Sequence, residues 1–392
     1  MNLINNLKPK TIVIYPNYAA KMINASFMLE LSHPLLLDPL TDSLSTISVA
    51  ALVDVSDRYG SYRVVVANQK VHLITIGKVG EKLRKSEKLF EYIRMLPRIW
   101  HTVYHSAFSY IFMPGHAGLL ASIFCLLLKR PYAIYLRGKW EAPLRIFHWI
   151  YPTLLQRAKF VLCTGAGLSE QIVILNPFCE AVIPMSDVLM KDIPPRSHFP
   201  VTNRCRLLFV GELIIEKGVF ELIDALAILE KTSSVEVELS IVGLGTEWTR
   251  LHNYVNQCAM QDKVRFYGFI DDPEKLSEMY LTHDLFCLPT YSEGFPRVIY
   301  EAMLFSLPII TTRVGQIDTI IIDKVNGLFV KVRSAQDLAG KIMLLLEKAE
   351  LRNQIGTQAR STIEPMLAGW RESTHGNQVI KWMRATKIAQ FR

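Results

Sequence analysis

Two α/β domains, each built on a parallel sheet, are the architecture this sequence predicts. Three observations carry it. The chain has 392 residues, 50% of them hydrophobic, which exceeds what one ordinary core accommodates. Short, nearly continuous apolar runs alternate with amphipathic stretches, the pattern of strands covered on both faces by helices. That alternation lapses once, between Met190 and Asn203, where KDIPPRSHFPVTN holds three prolines and no periodicity. This stretch reads as an interdomain linker.

The first domain is expected over 1–195. Its β-rich runs are Thr11–Tyr15, Tyr62–Ala67, Val71–Ile76, Tyr110–Met113, Tyr132–Leu136 and Phe160–Cys163. After the first of them, YPNYAAKMINAS (Tyr15–Ser26) reads as a strand-to-helix turn. The second domain is expected over 204–365, with runs at Arg206–Val210, Leu239–Val242, Val264–Tyr267, Leu285–Leu288, Pro308–Thr311 and Leu328–Val330. Between them lie the helical patterns Gly218–Glu230, Glu247–Ala259, Pro273–Leu281 and Val298–Phe305. The last stretch, 366–392, closes on a helical QVIKWMRATKIAQF. Two doubly wound, Rossmann-like sheets of this kind bind ligands at their strand C-terminal ends, facing an interdomain cleft.

Composition narrows the function classes. Charged residues make up 20% of the chain, so it is not a disordered polyelectrolyte. The six cysteines show no C-x-x-C and no close histidine partner. They read as small core residues of a reducing compartment, neither a zinc site nor a disulfide framework. The polar N-terminus lacks a signal-peptide pattern. The longest apolar stretch, Ala117–Leu128, is shorter than the ~20 residues that span a bilayer. The net charge of +8 is uneven: through Arg196 there are 22 Lys+Arg against 13 Asp+Glu, or +9, which leaves −1 for the remainder. A basic first half suits either an anionic surface or substrate, or a solvated face. No nucleic-acid-binding module is present.

The most informative stretch is DLFCLPTYSEGFPRVIYEAM (Asp284–Met303). A buried strand ends at Pro289. A loop with Glu293 and Gly294 follows, Pro296 stands where a helix begins, and Glu301 lies one to two turns inside it. A glycine loop meeting a helix start offers unpaired N–H groups to phosphates or sugar hydroxyls. The plainer alternative has Glu293 answering the helix dipole and Glu301 pairing with Arg297 on an exposed face.

The wider string resembles the donor-binding signature of family 4 retaining glycosyltransferases, also called glycosyl transferases group 1. The match comprises Pro289-Thr290, Glu293-Gly294-Phe295-Pro296 and Glu301, then Ser306-Leu307-Pro308, Val314-Gly315 and Asn326-Gly327-Leu328. Upstream, VGELIIEKG (Val210–Gly218), IVGLG (Ile241–Gly245) and VRFYGFI (Val264–Ile270) resemble further elements of that family in the same order. The resemblance implies a GT-B fold and a nucleotide-sugar donor held mainly by the second half. It implies that Glu293 binds donor-sugar hydroxyls, helped by N–H groups around Gly294 and Phe295. Glu301 would take the ribose hydroxyls and Lys217 the diphosphate. Gly211, Gly243, Gly268 and Phe269 would line the donor site, with Pro296 at the helix start. No cofactor or Asp-x-Asp metal motif is implied, and Asp271-Asp272 reads as a helix cap. One departure stands out: the family carries Arg after the first glycine, and here that residue is Glu212. Arg297 is a candidate substitute. Thr319 stands where the family often has Glu.

The resemblance is thinner in the first half. YIFMPGHAG (Tyr110–Gly118) ends a strand before His116, and YAIYLRGKWE (Tyr132–Glu141) leaves Arg137, Gly138 and Lys139 on a loop. Arg137 is expected to contact phosphate or acceptor on the catalytic side, with His116 and Lys139 on the acceptor side. The segment Lys78–Arg98 resembles a basic amphipathic helix that can lie on anionic lipid or pack on a core with a solvated basic face. The expected function is retaining transfer of a hexosyl group from a UDP- or GDP-sugar to a glycan or lipid-linked glycan in the cytoplasm. The alternatives are a non-catalytic GT-B partner subunit, a GT-B nucleotide-sugar epimerase and a glycogen-type synthase.

Overall fold

The computed structural model describes residues 11–388 except 17–18, 24–25, 31–33, 56–61, 67, 81–83, 138–148, 183–192, 194–202 and 295. Two compact units divide the chain. One comprises Met1–Pro184 with Glu372–Arg392, the other Met185–Arg371. Most of the proline-rich stretch read as a linker, together with Lys139 and Phe295, lies outside the described residues.

The first unit is a seven-stranded, all-parallel sheet. Its strands are β1 (Ile12–Tyr15), β4 (Ile47–Asp54), β6 (Val71–Val79), β7 (Phe108–Met113), β8 (Tyr132–Leu136), β9 (Val161–Thr164) and β10 (Cys179–Val182), in the order β10-β9-β8-β7-β1-β4-β6. Alternate residues of β1 feed opposite cores, as a period of two requires. Val13 and Tyr15 pack with helices α2 (Lys85–His105), α3 (His116–Leu127), α4 (Ile150–Arg157) and α5 (Ala166–Ile172). Ile12 and Ile14 join the core under α1 (Pro34–Ser43) and α12 (His375–Ala385). The C-terminal helix α12 therefore completes the first unit. There His375 Nε2 lies 2.7 Å from the Tyr110 hydroxyl.

Three sequence expectations fail in this unit. The stretch after β1 forms no strand-to-helix turn. Instead β2 (Lys21–Ile23) and β3 (Ser26–Glu30) make an antiparallel hairpin, and the run at 62 becomes β5 (Tyr62–Val66), paired antiparallel to β3 in a separate three-stranded sheet. A hairpin closes in a few residues, whereas a parallel partner needs a long crossover. The parallel position expected for that run is taken by β4, whose ISVAALVD carries a small and polar half that hides it from a search for apolar runs. Lys78 belongs to β6, so the basic helix begins only at Lys85.

The second unit is a six-stranded parallel sheet in the order β13-β12-β11-β14-β15-β16. Its strands are β11 (Arg204–Val210), β12 (Glu236–Val242), β13 (Val264–Gly268), β14 (Leu285–Leu288), β15 (Ile309–Thr312) and β16 (Leu328–Val330). The helices α6 (Val219–Thr232), α7 (Trp248–Gln257), α8 (Pro273–Thr282) and α9 (Arg297–Leu304) fall on the four expected stretches, and α10 (Ala335–Glu347) and α11 (Ala349–Glu372) follow. Asp272 caps α8, its Oδ1 accepting from the Glu274 N–H at 2.9 Å. In both units the strand order reverses beside the first strand, between β1 and β7 and between β11 and β14. Such switch points are where open α/β sheets bind ligands.

Candidate active site

At the switch point of the second unit, two loops that start 78 residues apart are joined through their backbones. After β11 the chain makes a single 3-10 turn at Ile215–Lys217 and enters α6 through Gly218. The carbonyl of Glu216 accepts from the N–H of Tyr291 at 2.7 Å and from the Thr290 hydroxyl at 3.0 Å. Gly218 has φ +70°, and a Cβ there would lie 2.1 Å from the Pro289 carbonyl oxygen. Only glycine allows this approach and this left-handed backbone.

The other flank of the Pro289–Gly294 loop is fixed from β15. The Thr312 hydroxyl donates to the Thr290 carbonyl at 2.5 Å. Gly315, with φ +60°, brings its backbone so close that a Cβ would sit 1.8 Å from the Glu293 carbonyl oxygen. The loop is thus clamped between two glycines on neighbouring connections. The clamp brings the Lys217 ammonium onto Glu293 Oε2 in a direct ion pair, with the two side chains 17% and 12% exposed. A pair this far out of water adds little net stability, because desolvation offsets its attraction.

Glu301 lies on the buried side of α9, 5% exposed. It accepts from the Tyr280 hydroxyl of α8 at 2.8 Å, and the Tyr280 ring stacks on Phe305 with centroids 5.2 Å apart. Burial, then the Glu301 charge, holds the Tyr280 hydroxyl well above its ordinary range while Arg297 opposes the shift. Tyr280 therefore stays a donor to the carboxylate. The exposed Glu301–Arg297 face entertained from sequence is overturned in one respect: Glu301 is inside. Pro296 is the N-cap of α9 and Arg297 its first residue, so the proline stands one position earlier than the usual proline site. At the far end of α9, the Arg360 guanidinium donates to the Leu304 carbonyl and, at 2.7 Å, to that of Ile193.

The three glycines Gly211, Gly243 and Gly268 stand at adjacent strand ends. Gly211 N–H donates to Val242 at 3.0 Å and Gly243 N–H to Gly268 at 2.7 Å. Phe269 and Tyr267 are exposed beside them, and Glu212 is exposed just after Gly211. Gly294 closes the clamped loop before α9. The structure thus brings Lys217 together with Glu293, and sets Gly211, Gly243, Gly268 and Gly294 on the same C-terminal edge of the sheet. Sequence reasoning missed Tyr280 and Thr312. Neither belongs to a local motif, and each acts through one hydroxyl reaching a neighbouring element.

His116 and Arg137 belong to the first unit. His116 opens α3 just after β7, exposed, with its ring edge against Tyr92 at 5.8 Å. The Arg137 N–H donates to the Met113 carbonyl at 2.8 Å, which ties the ends of β7 and β8. Both residues occupy the C-terminal edge of that unit's sheet, beside its own switch point. Among the described residues no group of three or more His, Cys, Asp or Glu is arranged to hold a metal.

Residues 191–362 match the family model described as Glycosyl transferases group 1. Spore coat protein SA of Bacillus subtilis is 33% identical over 45% of this chain and 48% of its own length. An uncharacterized glycosyltransferase of Methanocaldococcus jannaschii is 33% identical over 39% of this chain and 41% of its own length. The chain thus spans less than half the length of these curated relatives. In fold the similarity covers nearly everything. Anabaena Alr3699/HepE, solved in complex with UDP-glucose, superposes with a TM-score of 0.68 at 18% identity, over 96% of this chain and 99% of that one. The architecture is GT-B.

Proposed function

The C-terminal unit belongs to the group 1 glycosyl transferases, and on that premise we propose that this chain is a retaining glycosyltransferase. It moves a sugar from a UDP- or GDP-sugar to a hydroxyl of a glycan or lipid-linked glycan. Its place is on the cytoplasmic side of a membrane, in the assembly of a surface polysaccharide such as a lipopolysaccharide. The observation that supports this reading best is the Lys217–Glu293 ion pair, clamped at the switch point of the second sheet.

The chemistry needs such an arrangement. Breaking the glycosidic bond places negative charge on a departing nucleoside diphosphate, and the sugar becomes oxocarbenium-like. Lys217 supplies a fixed positive charge for the leaving phosphate. Glu293 accepts from sugar hydroxyls, and the loop N–H groups before α9 add donors. Glu301, held by Tyr280, takes the ribose hydroxyls. Attack comes from the face the phosphate leaves, so that the phosphate oxygen receives the acceptor proton. Arg137, His116 and Lys139 serve the acceptor side. In this reading the reaction needs no cofactor, and lysine and helix dipole do the neutralising.

The test uses the purified full chain. Calorimetric titration against UDP, GDP and their common sugars should give saturable binding, and a bound nucleotide should raise the melting temperature. Lys217→Ala should weaken diphosphate binding, and Glu293→Ala should cut transfer while leaving nucleotide binding. Proton NMR of the product should show the anomeric configuration of the donor. An inverted product, or indifference to every nucleotide, refutes the reading. Turnover of the donor to an epimer without acceptor points instead to an epimerase.

A further inference from the structure

Helix α2 carries two apolar stripes. Met95, Ile99 and Val103 are buried in the core of the first unit. Phe90, Ile93, Trp100 and Tyr104 recur at steps of three, seven and four residues. At about 100° per residue these fall on one line along the helix, roughly opposite the buried stripe. With Leu96 beside them, they are 40–57% exposed. A surface helix of a soluble domain normally turns charge outward there, and a contiguous exposed apolar row marks an interaction surface.

The flanking charges say what kind. The Arg94 guanidinium lies 4.1 Å from the Phe90 ring centroid, and that of Arg130 lies 5.5 Å from the Tyr104 centroid. Arg98 stands one turn after Arg94. The two acids of this helix are committed to its own scaffold. Glu87 accepts from the Arg84 N–H at 2.7 Å, and Glu91 from the Lys78 N–H at 2.9 Å and Arg94 at 3.4 Å. Trp and Tyr with arginine neighbours suit a headgroup boundary. No helix among the described residues is long and apolar enough to cross a membrane.

We propose that α2 docks the first unit on an anionic lipid surface. Phe90, Ile93 and Trp100 enter the boundary between headgroups and acyl chains, and Arg94, Arg98 and Arg130 meet lipid phosphates. The proposal deepens the acceptor side of the reading above, since a lipid-linked glycan is presented at such a surface, yet its test requires no catalysis.

The full chain is sedimented with vesicles of phosphatidylcholine alone or mixed equally with phosphatidylglycerol. It should bind the mixed vesicles, and high salt should release it. Arg94→Gln with Arg98→Gln should weaken binding roughly thirtyfold, at about 1 kcal/mol for each lost cation. Ile93→Ser with Trp100→Ser should weaken it at least about tenfold through lost apolar contact. Both pairs should keep the melting temperature shift produced by UDP or GDP, so that misfolding is separated from lost docking. Equal binding to both vesicle types, or unchanged binding by the arginine pair, overturns the proposal. So does a dimer of the parent in sedimentation velocity that Ile93→Ser with Trp100→Ser makes monomeric. Vesicle binding without nucleotide binding would leave this proposal standing and remove the donor reading instead.

Discussion

Replacing Gly315 by alanine tests the clamp without touching a side chain of the site. A methyl there would sit 1.8 Å from the Glu293 carbonyl oxygen, at a residue whose φ is +60°. The left-handed backbone alone costs an alanine about 1–2 kcal/mol. Relief of the contact must come from backbone, because no flexible side chain stands between the two loops. The Glu293 loop must retreat by about 1 Å, and displacement on that scale costs on the order of a hundredfold in rate where groups must be positioned. We expect Gly315→Ala to lower stability by about 2–4 kcal/mol, since strain and overpacking add. Transfer, measured as kcat/KM with the donor that titration identifies, should fall about a hundredfold. Gly340→Ala is the control. That residue is exposed on α10 with nothing within 4 Å of an added Cβ, so it should gain about 0.5–1 kcal/mol of helix propensity and keep full activity. Thermal melts and initial rates read both variants. A Gly315→Ala protein with parental melting temperature and parental kcat/KM would refute the clamp as the device that positions Glu293.

Three further outcomes are expected. Tyr280→Phe removes the donor at 2.8 Å from a buried carboxylate, and should cost about 1–3 kcal/mol in denaturant melts and weaken nucleotide binding in calorimetry. Glu212→Arg, at an exposed position beside Gly211, should tighten UDP or GDP binding about three- to tenfold, with the gain fading at high ionic strength. Burial drives the His283 imidazole below its ordinary value, against the pull of the Met279 carbonyl. Its unfolded form therefore takes up a proton first as pH falls past about 6.5, and the stability present above that pH is lost toward the lower folded value. The melting temperature should decline over this window, and His283→Asn should flatten the decline.

How much of this was legible in the sequence differs between the units, for a physical reason. Every strand of the second sheet ends in a turn, a glycine or a proline, and all but the edge strand β13, where Arg265 and Tyr267 are exposed, are covered on both faces. Its runs are therefore short, apolar and sharply bounded, and all six were found within three residues at each end. In the first unit β4 pairs over eight residues with β6, but its sequence dilutes the signal with Ser48, Ala50, Ala51 and Asp54. The hairpin of β2 and β3 has too few residues for a period. The Glu293 loop could be read because its motif is local: Glu293, Gly294 and Pro296 lie within four positions. The clamp could not, since Gly218, Thr312 and Gly315 matter only through what the fold sets opposite them.

The same contrast explains where the helix α2 stood ambiguous. A sequence with apolar residues at two helical phases and cations between them is compatible with a helix packed on a core and with a helix lying on lipid. Only the sheet decides which phase is used. Once Met95, Ile99 and Val103 fill the core, the second phase has no place inside the unit. Its residues Phe90, Ile93, Trp100 and Tyr104 are then left 42–57% exposed. Core packing by one stripe thus leaves the other exposed, and that exposure is the premise the vesicle assay tests.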